Sequence, residues 1–123
     1  MANELSVTGS FSFAKNGITA FARAVTAKLV SVTGNGLEYN VLSIATSETA
    51  LQLGGLVAPF GWGWFHNLDA TNYVEIKTVA SGKIFTKLRA LEFAMLPLGS
   101  DVTIPVAVAN TAACLLEYAL LPP

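Results

Sequence analysis

The chain has 123 residues, of which 53% are hydrophobic and only 12% are charged, about half the charged fraction usual in soluble domains. This length suits one domain, and the low charge indicates a surface partly covered in an assembly, or one that uses Ser, Thr and Asn instead of charge. A net charge of −1 excludes the basic surface by which proteins bind nucleic acid. With one cysteine, Cys114, and one histidine, His66, an internal disulfide and a Cys- or His-cluster metal site are excluded.

Targeting and membrane segments are not expected. Residues 1–6 lack a basic segment followed by an apolar run, so we expect no signal peptide and synthesis in the cytoplasm. The stretch 49–68 carries no charge, but it contains Gly54-Gly55, Pro59 and Asn67, which argue against a lipid-exposed helix. We expect buried strands there and no membrane partner.

The dominant period of the N-terminal third is two, which is typical of strands. Apolar residues and glycine at odd positions of 5–13 alternate with serine and threonine, which predicts a half-buried strand. Asn16-Gly17 predicts a type I′ hairpin turn, because both central residues of that turn need positive φ. Residues 18–33 predict a long strand with a kink near 24–27.

Strand patterns separated by turn signals continue to the end of the chain. Gly34-Asn35-Gly36 predicts a turn, and 67–72 predicts another, because Asn and Asp side chains bond their own backbone. Residues 47–53 fit a short strand or one helical turn. The other predicted strands are 37–46, 60–68, 73–79, 83–88, 92–98, 102–109 and 113–121.

These patterns predict an all-β fold of about eight to nine short antiparallel strands. We expect a single β-sandwich domain, jelly-roll-like, over residues 1–121, followed by a C-terminal tail of Pro122-Pro123.

Catalytic groups are sparse in this sequence. His66 is the one candidate histidine base, but in a Trp- and Phe-rich strand a packing or hydrogen-bonding role is commoner. Cys114 lies in an apolar strand and fits a buried small hydrophobe. The carboxylates are mostly isolated, and no phosphate-binding glycine loop or calcium-loop spacing occurs. We therefore expect no enzyme activity, no catalytic residue, no cofactor and no metal.

The most unusual local feature is the aromatic segment 60–65, which holds Trp62 and Trp64 on the same face of a strand. One interpretation is a surface for a sugar ring or a neighbouring subunit, with Phe65 and Tyr73 as further candidates. The commoner alternative is a core plug, in which glycines let a neighbouring layer approach. A third arrangement has Phe65 inward and both tryptophans outward.

Three segments resemble small virion structural proteins of tailed bacteriophages. The first is the turn and strand Asn67-Leu68-Asp69-Ala70-Thr71-Asn72-Tyr73-Val74-Glu75-Ile76. The others are the Lys-Leu-x-x-x-Glu-Phe-Ala pattern at 87–94 and the Thr-Ala-Ala-x-x-Leu-Glu-Tyr pattern at 111–118. The resemblance covers roughly residues 60–121. One departure is Ala90-Leu91, where that family carries Pro-Gly in a tight turn, and it predicts a continuous bend.

The resemblance implies a β-rich, non-enzymatic component of a virion, and low charge agrees with a subunit packed into a shell. We expect a capsid decoration or cement protein whose partners are the major capsid protein or other virion subunits, in a homo-oligomer that we favour as a trimer. A tail or baseplate role is the first alternative. A carbohydrate-binding jelly roll that uses Trp62, Trp64 and Tyr73 is the second.

Overall fold

The computed structural model describes residues 5–32 and 36–123, and within these ranges it contains ten strands and no helix. The all-β class predicted from the sequence is therefore confirmed. The chain forms two compact units, residues 1–33 and residues 34–123. The expectation of one domain over residues 1–121 stays a prediction.

The first unit is an antiparallel hairpin of β1 (Leu5–Lys15) and β2 (Ile18–Val30). Asn16 and Gly17 form its turn, as predicted. Only Gly17 of the two has a positive φ, 80°, so the prediction of a type I′ turn, which needs positive φ at both residues, is wrong. The register of the two strands shifts between the pairs Val7–Lys28 and Gly9–Val25, close to the kink predicted near 24–27, which stays a prediction.

The second unit contains the remaining eight strands of the described chain. They are β3 (Glu38–Ile44), β4 (Thr49–Ala50), β5 (Trp62–Asn67), β6 (Val74–Lys77), β7 (Ile84–Leu88), β8 (Phe93–Pro97), β9 (Val106–Ala109) and β10 (Cys114–Leu120). The total exceeds the expected eight to nine, because 49–50 forms a strand of its own rather than a helical turn. The strand expected at 102–109 is shorter, since Pro105 has no amide to donate to a ladder. Most of the turn predicted at Gly34-Asn35-Gly36 lies outside the described residues.

Two four-stranded sheets make up the second unit, and their paired neighbours are antiparallel. The β5 sheet has the order β3-β10-β5-β8, and the β6 sheet has the order β4-β9-β6-β7. Among these eight strands the first therefore pairs with the eighth, the second with the seventh, the third with the sixth and the fourth with the fifth.

The hydrophobic core lies between these sheets, since it combines Phe65, Leu116 and Tyr118 of the β5 sheet with Val74 and Ile76 of the β6 sheet. All five of these side chains are fully buried. The arrangement is sandwich-like, with an inner and an outer face on each sheet.

A buried asparagine at the end of β5 ties together the loop that follows β5 and the loop that follows β7. The Asn67 Nδ2 lies 2.8, 3.1 and 3.0 Å from the carbonyl oxygens of Asn72, Leu88 and Arg89. Its Oδ1 accepts the amide of Asp69 at 3.0 Å. The turn predicted at 67–72 is confirmed, and Asn67 satisfies backbone groups that burial would otherwise leave without partners.

The continuous bend expected at Ala90-Leu91 is wrong. The chain makes a tight turn, in which the amide of Glu92 donates to the carbonyl of Arg89 at 3.1 Å. The φ of Leu91 is 63°, so a leucine occupies the left-handed conformation that glycine adopts more easily. The Leu91 amide also donates to the Asp69 carbonyl at 3.1 Å, which helps to hold the turn closed.

Candidate functional site

Strand β5 lies in the interior of its sheet, between β10 and β8, and its alternation decides which side chains face outward. Gly63 and Phe65 are buried, whereas Trp62, Trp64 and His66 are partly exposed on the opposite face. A Cβ on Gly63 would lie 2.8 Å from the Phe65 ring, so the strand needs glycine there to let this ring pack. The arrangement with Phe65 inward and the tryptophans outward is the one observed.

The four sequence-predicted site residues do not form one site. Trp62 and Trp64 share the outer face of the β5 sheet. Phe65 has no exposed surface, so its candidacy as a surface residue is wrong, because the period of two turns it into the core. Tyr73 lies beside the other sheet, where the Lys87 Nζ stands 4.0 Å from its ring centroid.

A carboxylate organises the outer face of the β5 sheet. Glu117 of β10 accepts the Tyr39 hydroxyl at 2.6 Å on Oε2 and the Trp64 indole N–H at 3.0 Å on Oε1. These two donors, Tyr39 more than Trp64, lower the pKa of Glu117 below its ordinary value. The same hydrogen bond raises the pKa of Tyr39. Glu117 thus bears a negative charge at neutral pH on an otherwise aromatic surface.

Ring contacts extend the cluster across β5 to β8. The Trp64 and Phe93 rings stack with centroids 5.3 Å apart and planes at 28°. The His66 ring meets both edge-on, at 6.0 Å from Trp64 and 6.3 Å from Phe93. His66 Nε2 lies 3.3 Å from the Leu91 carbonyl, and its Nδ1 lies 3.8 Å from Glu117 Oε1. The histidine therefore packs and bonds within the cluster, the commoner of its two predicted roles.

Exposed apolar side chains surround this cluster. Phe93 is 57% exposed and Tyr39 is 53% exposed, and Val41, Leu115 and Met95 are exposed beside them. We call this surface the apolar outer face. It consists of Tyr39, Val41, Trp62, Trp64, His66, Phe93, Met95, Leu115 and Glu117. A surface of this composition suits contact with a partner, because neighbouring apolar side chains on one sheet face gain from removal of water.

Sequence reasoning missed Tyr39, Phe93 and Glu117 as members of the site. Tyr39 and Glu117 are 78 positions apart in the sequence. They meet because β3 and β10, the first and last strands of the second unit in chain order, pair with each other. One signal was present, since Glu117 is the sole charged residue in the strand Cys114–Leu120. An isolated acid in an apolar strand indicates a place where that charge finds donors.

Other chemistry-bearing groups lie apart from this face. Cys114 is buried, its Sγ is 3.5 Å from the Ala112 carbonyl, and burial raises the pKa of its thiol. Within residues 5–32 and 36–123, no three His, Cys, Asp or Glu side chains form a group that could hold a metal ion. Over the same ranges there is no helix with the length and hydropathy needed to cross a bilayer.

A scan of the sequence against protein-family models finds no match, and searches among curated proteins and solved structures find none either. A functional proposal therefore depends on the geometry of the apolar outer face and on the segments that resemble phage virion proteins.

Proposed function

We propose that this protein is a non-enzymatic structural component of a tailed-phage particle, acting as a capsid decoration or cement protein. It binds the assembled head and stabilises it through subunit contacts. Its partners are the major capsid protein or other virion subunits, and it works as a homo-oligomer, with a trimer favoured.

The apolar outer face carries this proposal. Scattered exposed hydrophobic residues are normal, but a contiguous apolar surface on a folded domain indicates a partner. A chain with 12% charged residues also has little charge with which to keep such a surface in water. A subunit that stays in an assembly has no need of that charge, because its neighbours cover the surface.

We also propose that the second unit is a jelly roll. The pairing of first with eighth, second with seventh, third with sixth and fourth with fifth strand supports this assignment. It is the order obtained when one long hairpin rolls into two sheets, and it gives the eight strands that the jelly roll requires. Such a unit builds its own core and leaves the outer faces free for contacts.

The apolar outer face supports the two alternative functions, a tail or baseplate component and a glycan-binding module, to different degrees. A tail or baseplate component would need an apolar contact surface just as a head protein does, so copy number and location separate these roles. Glycan binding has less support, because Phe93 occupies one ring face of Trp64. Stacking on a sugar needs a free ring face.

Quantitative mass spectrometry on separated heads and tails of the parent particle tests this proposal. We expect a high copy number in tail-free heads that scales with the major capsid protein. Heads stripped of the protein should rupture at a lower temperature and regain stability when purified protein is added back. A few copies confined to tails would establish the tail role instead. Absence from both fractions would overturn the particle proposal and favour glycan binding.

A further inference from the structure

The N-terminal hairpin has one apolar face. Alternation along its two strands places large side chains on one side, and we call this side the hairpin apolar face. It consists of Leu5, Val7, Phe11, Phe13, Phe21, Arg23, Val25, Lys28 and Val30. Phe11 is 66% exposed, and its ring meets that of Phe21 edge-on at 6.1 Å. The Arg23 guanidinium lies 4.4 Å from the Phe21 ring centroid. The opposite side carries mostly serine and alanine, for example Ser10 opposite Ala24.

A hairpin of two strands cannot bury its own apolar face. None of its side chains that the structure describes is buried. Two-stranded hairpins are marginally stable in water and need a third strand or a packed layer. A layer that covers the hairpin apolar face would supply that stability.

Charge indicates what that layer is. Residues 5–32 contain three cations and no acid, whereas residues 36–123 contain four cations and seven acids. Packing one hairpin on another would bring Arg23 and Lys28 of each copy onto the same surface, which like charges disfavour. The apolar outer face instead offers Glu117, whose pKa is lowered and which therefore keeps its negative charge. The hairpin apolar face is therefore positively charged and the apolar outer face is negatively charged, so the two surfaces are complementary.

The two surfaces also agree in size. The aromatic part of the hairpin apolar face spans about five residues of each strand, or roughly 17 Å at ~3.4 Å per residue. Four strands spaced about 4.8 Å apart give the β5 sheet a width of roughly 19 Å. With about 200 Å² per aromatic side chain, the exposed parts of Phe11, Phe13 and Phe21 amount to roughly 300 Å². The surface that these rings would cover on the partner is about as large, so the three rings together account for roughly 600 Å² of buried area. This is about half of the ~1,200 Å² that the smallest specific interfaces bury, and Val25 and Arg23 would add to it.

We propose that the hairpin apolar face of one copy packs on the apolar outer face of a second copy, with Arg23 directed at Glu117. Each subunit donates one hairpin and accepts one, which any closed ring satisfies, a trimer included. This inference deepens the proposed function by naming the contact between copies. Its test uses purified protein alone. The contact between copies and the role in a phage particle can therefore each be contradicted without contradicting the other.

Charge reversal at the two sites gives the decisive experiment, read by sedimentation equilibrium of the full-length chain. Alone, Arg23→Glu and Glu117→Arg each place like charges at both contacts, and each should weaken self-association by at least about tenfold. Combined in one chain, the two changes restore opposite charges at every contact of a ring of any size, so the double variant Arg23→Glu/Glu117→Arg should self-associate at concentrations where each single variant is monomeric.

A matched control separates the surface from net charge. Ser10→Glu/Ser12→Glu changes the hairpin charge by the same amount as Arg23→Glu, but on the opposite side. It should self-associate like the wild-type chain. If Glu117→Arg lowers the melting temperature, Val41→Arg replaces it, because Val41 lies opposite Glu117 in register and the Glu117 hydrogen bonds remain.

Three results would overturn the inference. The wild-type chain could stay monomeric at the highest soluble concentration. The serine double variant could weaken association as much as Arg23→Glu does. The double charge-reversal variant, if folded, could fail to regain the self-association that each single variant loses, which would mean that the hairpin does not reach a second copy through these charges.

Discussion

The two outer faces of the second unit come from the same alternation of strands, yet they differ in chemistry. On the β6 sheet, Glu75 lies opposite Lys87, and the Lys77 Nζ bonds the Glu48 carboxylate at 2.8 Å. We call this surface, with Tyr73 and Val108, the polar outer face. Lys77 thus has a charged partner within the chain, and the Lys87 Nζ lies over the Tyr73 ring, as suits a surface in water. The apolar outer face has one charge among aromatic and aliphatic side chains. The difference shows that the core requires only the inward half of each strand, so the outward half is free to specify a partner.

The largest expected effect compares the two sides of β5. Phe65→Ala removes a fully buried ring and should lower the free energy of unfolding by about 3–5 kcal/mol. Trp64→Ala removes a larger side chain from the outer face and should cost about 1–2 kcal/mol, because that ring is only partly covered. Urea denaturation at a concentration where the chain is monomeric measures both. A Trp64→Ala loss as large as that of Phe65→Ala would make the outer face part of the core.

A second prediction compares the two outer faces directly. Val41→Lys places a cation on the apolar outer face, and Val108→Lys places one on the polar outer face. We expect Val41→Lys to weaken self-association by about tenfold, because a lysine desolvated in a contact costs free energy, and Val108→Lys to leave it unchanged. Sedimentation velocity over a concentration series measures this. Equal effects of the two lysines would remove the functional distinction between the faces.

The sequence predicts the faces better than it predicts the site. Alternation placed Trp62 and Trp64 on one face of a strand and allowed Phe65 on the other, because a period of two needs no knowledge of the neighbouring strands. The period alone does not say which face of a strand is buried, so it could not decide whether Trp62 and Trp64 lie in the core or on the surface. The Glu117 cluster depends on strand pairing across most of the chain, which no local pattern contains.

At the turn that contains Leu91, a local sequence rule gave a wrong prediction. Without Pro-Gly, the sequence argued for a bend. The tight turn forms because long-range contacts hold it, among them the Leu91 amide on the Asp69 carbonyl and the Leu91 carbonyl near His66. Tertiary contacts thus offset a conformation that leucine disfavours.

Leu91→Gly tests this explanation and should leave both outer faces in place. Glycine relieves the positive φ at an exposed position, so we expect a gain of up to about 1 kcal/mol in the free energy of unfolding. Thermal and urea unfolding measure it, with Leu91→Ala as the control that keeps the strain. A loss of stability on Leu91→Gly that exceeds that of Leu91→Ala would show that the side chain contributes more than its conformation costs.

The smallest expected effect compares one carboxylate on each face. The pKa of Glu48 is lowered first by Lys77 and then by the Ser81 amide, whereas that of Glu117 is lowered by the neutral donors Tyr39 and Trp64. Both groups therefore stabilise the fold above the ordinary glutamate pKa of 4.5, and both contributions are lost as pH falls through the lowered values. Salt screens the Glu48–Lys77 attraction, so NMR titration should show the pKa of Glu48 rising with added salt and that of Glu117 changing less. Equal salt dependence would contradict these causes.

The most direct test of the central claim uses two tyrosines on opposite outer faces. Tyr39 belongs to the apolar outer face, and Tyr73 belongs to the polar outer face. Hydroxyl-radical footprinting of the full-length chain, from dilute to concentrated solution, reports the accessibility of each ring. We expect Tyr39 and Met95 to become protected as the chain associates while Tyr73 is labelled at a constant rate. Protection of Tyr73 with Tyr39 still accessible would contradict the account, because it would place the contact on the polar outer face.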